Sequence, residues 1–441
     1  MKKDLTKGSI SKNIILLALP MMAAFLLHTG FNIVDTIFLG RLSALALAAI
    51  SITFPVIFLI IALASGVGIG VSSLIARLIG AKKEKEANNV AEHALLLAVI
   101  LGLFFTIFGL TLSKPLFILI GATPEMMPLV LDYVYVLFSG SFFMFFAFIG
   151  NSILRGEGDT KTPMKIMMLA TVINIALDPL LIFGIGFFPR MEMAGAALAT
   201  VIARSISAVA VLVYLFKGNA QIKLNLRRFK FKLSIIKEIL SVGIPASLSQ
   251  AVMSLGMFFM MKIVSQFGPF AIAAYGLAGK LDMVALLPGI GLSTAVITIV
   301  GQNIGAKKHD RAIKSTWTAV LISMVFMEVI GLLFLFFPEF WIGIFNKEPQ
   351  IISYGVSYIK IISPFYMLIG VSMIISASFQ GAGKGNPSLL LSILRLFILS
   401  VPLAYFLSRI FGVNGIWLGI SLSTIITAVV AAVWFKLWEK S

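Results

Sequence analysis

Polar residues along this chain come in short bursts, and apolar residues in long runs between them. Apolar runs of about 20 residues, the length of a bilayer-crossing helix, recur from one end to the other. They predict twelve helices: 13–39, 47–76, 90–112, 128–152, 163–187 and 193–217, then 236–265, 271–302, 313–336, 351–380, 387–410 and 414–437. The fold class expected is an all-α membrane protein with almost no soluble part. The first run follows MKKDLTKGSISK and reaches Leu39, longer than a signal-peptide core, and many spans come after it. It is therefore read as a retained helix.

The pattern repeats. Residues 20–87 and 245–312 align without gaps: Pro20 falls on Pro245, Gly66 on Gly291, and IGAKK at 79–83 on IGAKK at 304–308. Further on, Gly156 and Gly158 of LRGEGDTKTP match Gly381 and Gly383 at the same offset of 225. Six spans in each half is an even number, so both halves face the same way. Two parallel six-helix bundles related by a pseudo-two-fold axis along the membrane normal are a transporter design, because they can rock about a central cavity. The expected domains are an N-terminal bundle over 1–217, a basic linker over 218–235 and a C-terminal bundle over 236–441.

Composition supports a membrane protein. Of 441 residues 59% are hydrophobic and 12% charged, about half the usual charge fraction of soluble domains. The net charge of +17 would suit nucleic acid, but its placement does not. Counting the three residues at each span end with the adjoining loop, 25 of the 35 Lys and Arg fall in alternate loops and tails, five in the opposite loops (Arg41, Lys114, Arg190, Lys347, Arg409) and five deeper inside spans. That is the positive-inside pattern of a cell-membrane protein with both termini in the cytoplasm. The expected partners are membrane lipid and small organic molecules, with no nucleic acid, and the expected state is a monomer. The linker is expected to lie on the anionic cytoplasmic lipid surface. With no cysteine, thiol nucleophiles and thiolate metal sites are excluded.

Ionisable residues inside spans are functional candidates. Span 5 contains NIALDPLLIF, where Asn174 and Asp178 are i, i+4 neighbours on one helix face. Pro179 lacks an amide proton, which frees the carbonyl of Ile175. From the helical rise of 1.5 Å per residue, Asp35, Tyr133, Asn174, Asp178 and Thr200 all fall in the outer half of the first bundle. These are hard oxygen groups suited to protons or a small cation. The expectation is a carboxylate pair of Asp35 and Asp178 that couples to H+ or Na+. Asn174, Thr200 and Tyr133 assist it, and Na+ would be held by Asp35, Asp178, Asn174 and Thr200. The competing reading pairs Asp178 with Arg204 and lets Asp35 reach the outer interface. In the repeat Asp35 meets Met260 and Asp178 falls near Pro402, so neither acid is duplicated. Pro20, fifteen residues before Asp35, is the expected hinge, with a static packing kink as the alternative. His28, Arg204, Lys280, Asp282 and Arg395 are possible cavity-lining residues. Lys280 and Asp282, two apart, do not face each other, and each is expected to pair elsewhere, with Glu328, Lys360 and Arg395 as candidates.

Two suggestive motifs fail. GAGKG at 381–385 lacks the first Gly and the Ser or Thr of a phosphate loop. GVGIG at 66–70 follows no strand and has helix-packing spacing.

The chain resembles the multidrug and toxic compound extrusion (MATE) transporters over essentially its whole length. The resemblance rests on the ALP start of span 1, FNIVDTIFLGRL, IGAKK after span 2, LRGEGDTKTPM, NIALDPLLIF, GAALAT before span 6 and VGIP opening the second half. Asp35 with Asn174 and Asp178 is most like the DinF-type branch. That resemblance implies that Asp35 and Asp178 bind H+ or Na+, helped by Asn174, Thr200 and Tyr133, and that span 1 bends near Pro20. Met260 stands opposite Asp35 in the repeat, and span 7 carries no carboxylate beyond Glu238 at its cytoplasmic start, a departure from the NorM-type branch. The expected function is a secondary antiporter, not an enzyme, with no cofactor beyond its coupling ion. It exports organic, mostly cationic amphiphiles in exchange for H+ or Na+. The rival is a lipid or lipid-linked saccharide flippase, kept open by Arg204, Lys262, Lys280, Lys360 and Arg395. A third reading, an intramembrane hydrolase using the two acids, finds no nucleophile or metal cluster to support it.

Overall fold

The computed structural model describes residues 4–217, 221–224 and 229–440. Parts of the expected linker, 218–220 and 225–228, lie outside them. The helices are α1 (Ile10–Leu42), α2 (Ala44–Gly80), α3 (Glu84–Ile120), α4 (Met127–Ser139), α5 (Ser141–Glu157), α6 (Lys161–Phe183), α7 (Glu192–Phe216) and α8 (Leu233–Val264). Then come α9 (Pro269–Gly305), α10 (His309–Phe336), α11 (Pro338–Gly343), α12 (Pro349–Ile362), α13 (Tyr366–Gly381), α14 (Asn386–Ile393), α15 (Val401–Phe411) and α16 (Val413–Trp438). Among the described residues eleven helical segments are long and apolar enough to cross a bilayer, and one bent pair makes twelve.

That bent pair departs from the straight helix expected over 128–152. α4 and α5 meet at 51°, and the corner is Gly140. A Cβ there would lie 2.4 Å from Cγ2 of Val201, so α7 passes directly against the backbone of the corner. A second interruption divides the eleventh span, where a π-helical segment over Leu394–Ser400 joins α14 to α15.

The chain divides into two compact units. One is Ala23–Gly243; the other is Ile244–Ser441 together with Asp4–Met22. The division does not follow the sequence halves expected at the linker, because each unit takes the start of one long helix. In the first unit the start of α8 packs on α2. A Cβ on Gly70 would lie 2.1 Å from the carbonyl oxygen of Ile239, and one on Gly243 would lie 3.2 Å from that of Gly66. Arg77 pairs with Glu238 at 3.1 Å. In the second unit the start of α1 packs on α9, where a Cβ on Gly291 would lie 3.2 Å from the carbonyl oxygen of Ala18. Gly66 and Gly291 are repeat partners, as are Gly243 and Ala18, so one small-residue contact is used twice. The helix-packing reading of GVGIG holds.

The linker is fastened to the first unit by side chains of α3 and α5. Glu157 Oε2 accepts the backbone N–H groups of Gln221 and Ile222 at 2.9 and 3.0 Å. Asn88 Oδ1 accepts that of Lys223 at 3.0 Å. The buried His93 accepts the Lys232 N–H on Nε2 at 2.8 Å, and its Nδ1 lies 2.8 Å from the Asn89 carbonyl oxygen. An acceptor at Nε2 makes Nδ1 the protonated nitrogen. In the second unit Lys308 Nζ and Arg311 donate to the carbonyls of Thr6, Lys7 and Gly8, which ties down the segment before α1.

Candidate functional site

The site of interest lies in the first unit and is built on α6. Asn174 and Asp178 are one turn apart, and Asn174 Nδ2 donates to Asp178 Oδ1 at 3.4 Å. Asp178 is 0% exposed, and its Oδ2 has no hydrogen-bond partner among the described residues. Asp35, on α1, is 9% exposed, and its Oδ1 is likewise buried and without a partner among the described residues. The two carboxylates act on each other electrostatically. The buried phenol of Tyr133 lies within electrostatic reach of both and of Arg204. Tyr133 sits on α4, which the corner at Gly140 holds against α7.

Thr200 joins through helix register. α6 and α7 run antiparallel, and a Cβ on Gly195 would lie 2.5 Å from the carbonyl oxygen of Leu181. Five residues along α7 and five back along α6 put the buried Thr200 level with residues 176–178. The glycine of GAALAT is therefore what lets the two helices close at this level.

Sequence reasoning left open an ion pair between Asp178 and Arg204. Among the described residues no such pair exists; the half-buried Arg204 acts instead on Tyr133 and His28. The bundle thus holds two carboxylates, each with a buried oxygen that no group among the described residues satisfies. An unpaired ionised carboxylate away from water costs several kcal/mol. A proton on either acid removes that cost, and a small cation between them would offset it. Pro20 lies within a continuous α1, two residues before the point where that helix passes from one unit to the other.

The second unit is arranged differently. Asp282 on α9 accepts the hydroxyls of Tyr358 and Tyr366, both at 2.5 Å. Arg395 acts on Asp282 electrostatically without an ion pair among the described residues. Glu328 accepts the Met367 N–H at 3.4 Å, and no ion pair joins it to Lys280 among the described residues. Lys280 lies 5.7 Å from the ring centre of Phe345. Lys262, Lys280 and Lys360 are exposed side chains and form no buried cluster with Arg395. Sequence reasoning missed the tyrosines. The signal was present: Tyr358 and Tyr366 lie inside a predicted span, where a buried phenol needs an acceptor.

Comparison with known proteins agrees with this architecture. The MatE family model matches the chain twice, over residues 20–180 and 245–406, and the two matches start 225 residues apart, the offset of the internal repeat. The FAD transporter of Shewanella oneidensis is 32% identical over 432 residues, 97% of this chain and 95% of that protein. The probable multidrug resistance protein NorM of Thermotoga maritima is 29% identical over 442 residues, 98% and 94% of the two chains. The outward-facing structure of a multidrug resistance MATE family transporter superposes with a TM-score of 0.94 at 34% identity, covering 99% of this chain and 97% of that one. With the family model matched twice, the repeat in register and the twelve-span helical fold in common, this chain belongs to the MATE family of multidrug efflux transporters.

Proposed function

We propose that the chain works as a cation-coupled antiporter, with Asp35 and Asp178 as the carboxylates that carry the coupling ion. The observation that carries this reading is the pair of buried, unpartnered oxygens on Asp35 and Asp178 in one bundle. Asn174 orients Asp178, Tyr133 and Thr200 supply neutral oxygens, and Pro20 is the hinge at which α1 answers to the charge state of Asp35. This is the DinF-type arrangement. Inward H+ or Na+ drives organic, mostly cationic amphiphiles out of the cytoplasm, with both termini inside and the monomer as the working unit. With 100 mV across the membrane, one inward charge is worth about 2.3 kcal/mol, which supports roughly 50-fold accumulation in electroneutral substrate movement.

The test is dye efflux from proteoliposomes with a pH or a Na+ gradient imposed separately. Wild type is expected to respond to at least one gradient. Asp35→Asn and Asp178→Asn should each lose that response, and retained gradient-driven efflux in both variants would reject the assignment. A second substrate reading has one observation behind it: the Shewanella relative is a FAD transporter at 32% identity, so phosphate-bearing aromatic substrates belong in the same assay.

A further inference from the structure

On the face of α7 turned away from its bundle lies a groove of about 360 Å³, lined by Val209, Leu212, Val213, Phe216 and Lys217. These positions recur at i, i+3, i+4, i+7 and i+8, which is one stripe of a helix. Val209, Val213 and Phe216 are exposed, whereas Ser207, Ala208, Val211 and Leu215 on the opposite side of α7 are buried in the first unit. From the helical rise the stripe runs about 12 Å, most of the depth of one hydrocarbon leaflet, about 15 Å. Its walls are aliphatic and aromatic until the last residue, so an acyl chain fits them and water does not.

Lys217 closes the groove. It is the C-cap of α7 and is exposed. A lysine stem lies along apolar surface and carries its ammonium to the headgroup level. The acids near this end of α7 are engaged by other donors. Asp159 accepts the Tyr214 hydroxyl on Oδ2 at 3.3 Å and the Thr162 N–H on Oδ1 at 2.9 Å. Glu157 accepts the Gln221 and Ile222 N–H groups of the linker. Among the described residues Lys217 makes no ion pair. An apolar seat that ends in one unpaired cation complements a molecule with a hydrocarbon chain and an anionic head. On the sidedness proposed above, this end meets the cytoplasmic leaflet, whose surface is negative.

We propose that this stripe binds one anionic glycerophospholipid, with an acyl chain along residues 209–216 and its phosphate on Lys217. The lipid sits where α7 gives way to the linker and anchors that junction to the membrane surface. The proposal needs the membrane-spanning fold and the proposed sidedness, but neither the coupling site nor the substrate reading.

The test is native mass spectrometry of the full chain, purified in detergent and freed of lipid. It is titrated with dioleoylphosphatidylglycerol or dioleoylphosphatidylcholine. Wild type should hold its first phosphatidylglycerol about fivefold more tightly than its first phosphatidylcholine, the worth of one lysine at an anionic surface. Lys217→Gln should erase that preference, and Lys217→Arg should keep it. Val213→Trp, which fills the groove and leaves the charge, should weaken the first phosphatidylglycerol at least about threefold. Lys85→Gln, at an exposed lysine in the first turn of α3, should bind as wild type does. Asp35→Asn should as well, which separates failure of this proposal from failure of the coupling reading. A preference that survives Lys217→Gln, or that Lys85→Gln lowers equally, would overturn the proposal. So would displacement of the bound lipid by glycerol phosphate, because a free phosphate has no use for the groove.

Discussion

At the scale of single residues, each buried polar atom is defined by what it has for a partner. Asp178 has one long hydrogen bond, from Asn174 at 3.4 Å, and one empty oxygen. Asn174→Leu removes the bond while filling the space. The H+ concentration for half-maximal efflux should fall by up to about tenfold, since the lost hydrogen bond, worth about 1.5 kcal/mol at ordinary length and less at this one, favours the ionised carboxylate over the protonated one. An unchanged value would assign Asn174 to packing alone. The acids and their amide are legible in the sequence because a carboxylate inside an apolar run has no bland explanation. The partners of Asp282 are not, because three-dimensional proximity across 76 and 84 residues leaves no trace in spacing. The expected candidates were charged; the observed partners are phenols, which satisfy a carboxylate without a second charge to desolvate.

At the scale of elements, glycines and caps decide how closely helices approach. Gly195 is the contact at which α7 meets the α6 backbone, with 2.5 Å from its absent Cβ to the carbonyl of Leu181. Gly195→Ala should cost about 1–3 kcal/mol through forced separation, read as a lower unfolding midpoint in detergent, and it should weaken coupling more than Ala at the open Gly276. The linker is held by His93 and Glu157. His93→Ala should speed tryptic cleavage at Lys223, Lys230 or Lys232 by about tenfold, since losing a hydrogen bond of ~1.4 kcal/mol raises the open population by that factor. An unchanged rate would mean that the latch bears no load. The long helices are plain in the sequence from apolar run length. The corner at Gly140 and the π-helical segment are not, because both are set by packing against neighbours that the local pattern does not name.

At the scale of the whole molecule, the repeat is what sequence and structure both express most clearly. The duplicated contact, Gly66 with Gly243 and Ala18 with Gly291, fastens the start of a long helix in each unit. Pro20 and Pro245 each lie within three residues of the point where the chain passes from one unit to the other. Composition changes at the linker, whereas the contact-based division into compact units falls inside α1 and α8, where composition does not change. Sidedness belongs to this scale too. The chain has no cysteine, so Arg190→Cys and Lys440→Cys can each be labelled alone with an impermeant maleimide. Arg190→Cys should react in intact cells and Lys440→Cys only after permeabilisation, and the opposite pattern would reverse the positive-inside assignment.

The central claim is that substrate and coupling ion compete through the charge of Asp35 and Asp178. Its most direct measurement is ion release on addition of a saturating cationic dye to purified protein, followed with a pH indicator in weak buffer and with 22Na+ in parallel. The account predicts release of H+ or Na+ from wild type and none from the Asp35→Asn/Asp178→Asn double variant. Equal release from both proteins would contradict it.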